Sequence, residues 1–403
     1  MDYIDRELFS NETTIDFLKI NGEGYYKISN SDSMRPFFMS IVSDSNHWMF
    51  ISSNGALTAG RKNAEFALFP YYTDDKITES SEITGSKSIF LVKQYNETRI
   101  WEPFSSRYEG LYRVTRNLYK NQYGNKVMFE EVNHDLQLTF RYQWSSSNRF
   151  GFIKRSTIIN HNESSIGVSL IDGIQNIMPY GVSSDLQNQS SNLVDAYKRN
   201  ELEEKTGLGI FALSAIIVDK AEPSEALKAN IAWSVGLNNP KYLLSSLQLN
   251  TFRKQKPINQ EVDIKDEQGA YFLNDTIELS PNEEKEWHII ANVNQNHSEI
   301  EALSKNILDN KNLIHEVEDD ISLGTQRLIV LNGSSDGIQL TNDKFRDTRH
   351  FSNTLFNIMR GGIFDNNYQI EKRDFRNYIL KANKKVARNN ELIIDNLTDK
   401  FKL

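Results

Sequence analysis

The chain has 403 residues with a formal charge of -8, from 46 Lys plus Arg against 54 Asp plus Glu. With 38% hydrophobic, 25% charged and 11% aromatic residues it has the balance of a globular protein, which excludes disorder, collagen and coiled coil as whole-chain readings. The acidic excess offers no global positive field for nucleic acid or anionic lipid, and the absence of cysteine excludes disulfides, thiolate zinc sites and Cys nucleophiles.

The first twenty residues mix Asp2, Asp5, Arg6, Glu7, Glu12 and Asp16 among apolar ones, so they lack the basic start and apolar run of a secretory signal. No stretch approaches the roughly 18 uncharged apolar residues of a membrane span. A cytoplasmic location without membrane contact is the expectation.

From about residue 24 to 293 the dominant pattern is alternation. In residues 136–144 it is clearest: Leu136, Leu138, Phe140, Tyr142 and Trp144 share one face, with Gln137, Thr139, Arg141 and Gln143 on the other. Shorter runs at 88–95, 110–115, 126–132, 166–171, 210–219, 241–249 and 286–293, most bounded by Gly, Asn, Asp or Pro, predict further strands. Many short strands without intervening helix-period segments predict a mainly β fold, a large antiparallel sandwich or barrel. At Ser298 the period changes. Ser298 with Glu301 fits a capping box, and Ile300, Leu303, Ile307 and Ile314 recur at helical spacing. After Gly324 a strand-like run at 326–331 is expected, then a second helix over 345–359 ending at Gly361 and Gly362, then a charged, weakly amphipathic tail from Ile370. So thin a supply of apolar groups cannot fold alone, which predicts docking on other protein or continuation beyond Leu403.

The chemistry is narrowed by elimination. Seven histidines, at 47, 134, 161, 288, 297, 315 and 350, show no i, i+4 pairing, so no metal site is expected. Neither phosphate-binding glycine motif is present, and no nucleophile elbow surrounds Ser86 or Ser334. No cofactor is expected. What remains is a set of Asx-rich loops beside aromatics. Residues 54–77 combine Arg61 with Phe69, Tyr71 and Tyr72 and the carboxylate pair Asp74 and Asp75. Aromatic faces beside Arg and carboxylate groups suit a pyranose, which has an apolar CH face and a rim of hydroxyls. The same residues also read as a turn, a core strand and a solvated acidic loop. Trp101 and Glu102 before Pro103 form a second candidate, and Asp172 with Asn176, before Pro179 and Gly181, a third. Ordinary readings are a core tryptophan and an Asx-capped turn. Paired acids for glycosidase chemistry could come from Asp74, Asp75, Glu102 and Asp172, but their separation decides that chemistry.

These segments, with residues 191–201 (SNLVDAYKRNE) and 350–364 (HFSNTLFNIMRGGIF), make the chain from about Tyr25 to Phe364 resemble the N-terminal region of large proteins related to cellobiose and chitobiose phosphorylases. In that inverting glycoside phosphorylase family a β-supersandwich of the galactose-mutarotase type comes first. Helical linkers follow, then an (α/α)6 barrel that carries the catalytic acid and the phosphate site. The resemblance implies a β-supersandwich over 1–296, a helical linker over 297–340 and the start of a helical domain over 341–403. It implies a non-catalytic, carbohydrate-binding or accessory region acting with a C-terminal catalytic domain of the same protein. An oligosaccharide or β-linked disaccharide, phosphate and a homodimer contact are the expected partners. Where the phosphorylases tend to have Trp-Ser-Pro this chain has Trp101, Glu102 and Pro103, and no catalytic residue carries over. Two other readings stand beside it. One is a free-standing mutarotase-like sugar epimerase, pairing His134 or His161 with Glu102 or Glu130; the other is an assembly module without a sugar role.

Overall fold

In the computed structural model the described residues are 12–72, 74–94, 97–189, 192–215, 227–361 and 369–402. Strands β1 (Thr14–Ile20) and β2 (Glu23–Ser29) open the chain, followed by β3 (Phe38–Ile41), β4 (His47–Ser52), β5 (Leu57–Arg61) and β6 (Ala67–Phe69). Helix α1 (Asp74–Glu79) leads to β7 (Gly85–Gln94), β8 (Glu97–Trp101), β9 (Val114–Asn121), β10 (Val127–Asn133), β11 (Leu138–Ser147), β12 (Gly151–Asn160) and β13 (Ile166–Ile177). Two short helices, α2 (Ser184–Gln189) and α3 (Asn192–Asp195), precede β14 (Lys198–Glu203), β15 (Leu208–Leu213), β16 (Lys228–Val235) and β17 (Lys241–Leu243). Helix α4 (Leu249–Arg253), β18 (Asp263–Lys265), β19 (Gly269–Leu279) and β20 (Glu284–Asn296) complete the β region.

Among the described residues these strands form an eleven-stranded sheet, ordered β1-β2-β9-β10-β11-β12-β20-β16-β15-β14-β18. A five-stranded sheet runs β17-β19-β13-β7-β8 and a four-stranded one β3-β4-β5-β6. The fold is mainly β, with antiparallel pairing in all three sheets.

One apolar core joins the three sheets, because each contributes one face of its alternating strands. Phe140, Tyr142 and Trp144 come from β11, Phe90 and Val92 from β7, Leu170 and Ile174 from β13, and Met49 and Ile51 from β4. Burying each aromatic of β11 contributes about 1.5–3 kcal/mol by area, as an upper estimate. The opposite face of the large sheet is covered separately. Ile153, Trp233 and Ile290 lie under Ile300, Leu303 and Ile307 of helix α5 (His297–Asp309) and Leu313, Val317 and Ile321 of helix α6 (Leu313–Gly333).

The chain divides into two compact units, 1–324 and 325–403. In the second, helix α7 (Lys344–Met359) starts at Asp343, whose side chain accepts from Arg346 N. The tail closes on itself. Strand β21 (Gln369–Glu371) pairs with β22 (Lys400–Lys402), and α8 (Lys372–Ala382), α9 (Lys384–Asn389) and α10 (Glu391–Asp395) lie between them.

Four local expectations need correction. Helix α5 is capped by Asn296 and Glu299, which exchange the two capping-box bonds, and not by Ser298 and Glu301. The predicted strand at 326–331 lies inside α6, since Gly324 continues that helix. A Cβ on Gly324 would sit 2.9 Å from Asp44 Oδ1, so the glycine serves close approach there and not chain termination. Residues 110–113 form turns ahead of β9. The run 241–249 is a strand only to Leu243, because the Ser-rich segment after it turns into α4. Phe364, Gly362 and part of the predicted strand at 210–219 lie outside the described residues.

Candidate functional site

The five-stranded sheet positions the residues that matter most. Along β7, Ser88, Phe90 and Val92 point between the sheets, while Lys87, Ile89 and Leu91 point outward, where Ile89 and Leu91 pack against Leu249 and Phe252 of α4. Lys87 is the polar end of that outward row. A lysine only 6% exposed must be paired, and its Nζ lies 2.5 Å from Glu82 Oε2 and 2.6 Å from Glu102 Oε1. Arg253, the last residue of α4, forks onto the same Glu102, with Nε 2.8 Å from Oε2 and Nη2 2.8 Å from Oε1. Its Nη1 donates to Asn250 Oδ1 at 2.8 Å. Glu82 also accepts from Ser105 Oγ and from Ser106 N at 2.8 Å.

The electrostatics follow. Burial alone pushes the Glu82 and Glu102 carboxyls up, but the contacts with Lys87, and for Glu102 also with Arg253, outweigh it. Glu82 is held down at about 2, and Glu102 below the usual carboxylate range. Above this network opens a cavity of about 530 Å³, lined by Glu82, Ile83, Lys87, Arg107, Gln175 and Arg253 among others. That volume falls in the range of small-molecule sites.

Alternation along β13 puts Gln175 on the outer face with Ile171, and a β-bulge follows it. The register with β19 shifts between Gln175 and Ile177 across Asn176, whose φ is +60°. Asn176 donates from Nδ2 to Thr84 Oγ1 at 2.9 Å, and Gln175 donates from Nε2 to Glu82 O at 2.8 Å.

The other sequence candidates separate. Trp101, one residue before Glu102, faces the opposite way, packing on Phe90 and donating from Nε1 to Glu131 Oε1 at 2.7 Å. Asp172 lies between the sheets and is fully buried. It accepts from Ser88 Oγ (2.6 Å), Lys154 Nζ (2.6 Å), Ser156 Oγ (2.8 Å) and Trp287 Nε1 (2.8 Å). Arg61 extends from β5 toward a different region, donating to Asn46 (2.8 Å), Asn148 (3.2 Å) and Asn292 (3.2 Å). Asn292 borders a second cavity, of about 570 Å³, beside Trp233, Phe150 and Glu299. Tyr72 lies under Lys76 Nζ, 5.8 Å from its ring centre. The side chains of Asp74 and Asp75 lie outside the described residues.

For the proposed epimerase pairs, Nε2 of His134 is bonded to Thr115 Oγ1 and Nε2 of His161 to Thr139 Oγ1. Glu130 is held by Arg141, Asn117 and Tyr119. Among the described residues no group of three or more His, Asp or Glu is placed to hold a metal, and no helix is long and apolar enough to cross a membrane.

Sequence reasoning missed Glu82, Lys87, Arg107 and Arg253. Only Lys87 carried a signal, as a lysine inside the otherwise strand-forming GSKSIFLV. Arg253 meets Glu102 across a separation of 151 positions, which no spacing rule reads.

Residues 364–403 match the family model of glycoside hydrolase family 149 insertion domain 1. No curated protein matches the sequence. Among solved structures, a proposed kojibiose phosphorylase from the human microbiome superposes with a TM-score of 0.40 at 10% identity, over 82% of this chain and 40% of that one. A bacterial glucoamylase complexed with acarbose gives 0.38 at 9% identity, over 79% and 40%. A proposed aldose 1-epimerase from Escherichia coli K12 gives 0.34 at 8% identity, over 64% and 99%. The chain thus spans 40% of the length of the first two. Superpositions this loose identify neither a substrate nor a reaction.

Proposed function

We propose that this chain is a non-catalytic, carbohydrate-binding accessory region of a glycoside phosphorylase- or hydrolase-like protein, whose acid catalyst lies in another part of that protein. The observation that carries the reading is the match of residues 364–403 to an insertion domain of a glycoside hydrolase family. In this reading residues 1–296 face the sugar, 297–340 connect and 341–403 begin a helical domain. The arrangement of carboxylates supports the non-catalytic half. Glu102 and Asp172, offered by the sequence for acid chemistry, point to opposite sides of the five-stranded sheet, and each is tied to buried cations. A general acid needs a pKa near the working pH, whereas Glu102 is pulled the other way.

The test is proton NMR of the purified chain with β-linked disaccharides and free hexoses, with and without phosphate, recording saturation transfer and anomeric signals together. Saturation transfer without new anomeric peaks is the expected result. Accelerated anomer exchange or a new sugar phosphate would make the chain an enzyme and overturn the reading. Silence on both counts would overturn the sugar role and leave an assembly module.

A further inference from the structure

The cavity over Lys87 has a charge pattern that the chain as a whole does not. Its lining carries Lys87, Arg107 and Arg253 against the single carboxylate of Glu82, in a protein with a formal charge of -8. Two of the cations are fixed from below by Glu102, whose side chain has no exposure, while those of Lys87 and Arg253 keep 6% and 9%. Held in this way, they have lost their conformational freedom before any ligand arrives. An ammonium has three N–H donors and a guanidinium five. The bonds to Glu82, Glu102 and Asn250 use two on Lys87 and three on Arg253, so both retain donors.

Arg107 differs in kind. It is exposed, and among the described residues it has no ion-pair partner, while its backbone N–H is anchored on Ser105 Oγ at 3.1 Å. An arginine without an acid at the mouth of a cavity with two prefixed cations is a receptor for an oxyanion. The remaining lining suits what such an anion would be attached to. Gln175, Ser246 and Gln268 offer partners for hydroxyls, and Ile83, 61% exposed, offers an apolar surface for a ring face.

We infer that this cavity binds a saccharide bearing an oxyanion, its charged group on Arg107 with the spare donors of Lys87 and Arg253, and its ring beside Ile83. The inference rests on the carbohydrate reading and names the ligand class within it. A uronate and a sugar phosphate share this chemistry.

Calorimetric titration of the full chain with glucose, glucuronate, glucose 6-phosphate and inorganic phosphate separates the possibilities. At least one charged sugar is expected to bind about tenfold or more tightly than glucose and than inorganic phosphate, as charge-assisted hydrogen bonds allow. Which of the two it is identifies the anion. Arg107→Ala, at an exposed side chain without an ion pair, should keep the wild-type circular dichroism and lose that advantage, and raising the salt concentration should reduce it. Glucose binding as tightly as both charged sugars would overturn the oxyanion while leaving the accessory role intact. Inorganic phosphate binding as tightly as both charged sugars would overturn the saccharide. An unchanged affinity in Arg107→Ala would overturn the site. Binding of no sugar here or by NMR would overturn both readings.

Discussion

Lys154 Nζ and Asp172 Oδ1 meet 2.6 Å apart in the centre of the β region, and neither side chain has any exposure. The pair joins the two larger sheets, since Lys154 belongs to β12 and Asp172 to β13. Ser88, Ser156 and the Trp287 indole saturate the carboxylate, while the ammonium lies near the Phe140 and Tyr142 rings, 6.0 and 5.6 Å from their centres. Burial pulls the Lys154 ammonium below the usual lysine range, and Asp172 opposes that pull. Removing one partner leaves an uncompensated charge in the core. Asp172→Asn should therefore lower stability by about 3–5 kcal/mol, whereas the double change with Lys154→Met should lower it by clearly less than the sum of the two single changes. Urea unfolding of the three variants checks this; additive losses would mean that the two side chains act independently.

Glu102 holds two cations beneath the cavity, and its loss should be felt less than that of Asp172. Lys87 keeps Glu82, and both cations can gain water from the cavity above. Glu102→Gln should cost about 2–3 kcal/mol, at the low end for a buried pair. A crystal structure or amide exchange of that variant should show α4 loosened, because Arg253 is its last residue. A loss below about 0.5 kcal/mol would show that the pair makes no net contribution, as for exposed pairs.

The acid limb of stability should have two separable parts. His47 is driven down to about 3, by burial first and then by the Arg61 charge beside it. In the unfolded chain it takes a proton near pH 6.5, so the unfolded state binds more protons between about 6.5 and 3, and stability falls as the pH drops through that window. Glu82 sits at about 2 in the fold against an unfolded value near 4.3, so what it contributes is complete above that value and is lost as the pH falls toward 2. His47→Leu should flatten the slope between pH 6.5 and 4.5 while the drop below 4.5 remains. His134, also lowered by burial first, keeps some slope in place. Denaturation midpoints across pH 3–7 distinguish the two parts, and an unaltered slope above pH 4.5 would exclude His47 as its source.

The strand pattern was readable where one face is core and the other is not. Phe140, Tyr142 and Trp144 lie where their alternation with Arg141 and Gln143 puts them. Helix boundaries were less so, because two boxes of the same spacing overlap, Asn296 with Glu299 and Ser298 with Glu301. The better one begins where β20 ends. Near the cavity, sequence pointed to Glu102 and, as an amide in the loop-like segment before Pro179, to Asn176, which bonds Thr84 and does not line the cavity. The cations that give the place its character come from a strand (Lys87), a turn (Arg107) and a helix (Arg253), brought together only by β pairing and the position of α4. Trp101 and Glu102 look like one motif in the sequence, yet period two sends adjacent side chains to opposite faces.

The second unit supports a prediction of its own, since all 5 tryptophans, at 48, 101, 144, 233 and 287, lie in the first. Residues 369–402 close through Ile370 opposite Phe401, with Phe375 edge-on to Phe401 at 5.3 Å, and the buried side chains of the three helices between are Ala387 and Ile394. So small a core has little stability to lose, and Ile394→Ala removes about 2–5 kcal/mol where truncation leaves a cavity. Amide exchange should then accelerate across 369–402 while the tryptophan-detected urea transition keeps its midpoint. A shift of that transition would show that the two units unfold as one, and protected amides in 369–402 would show that Ile394 does not hold the tail together.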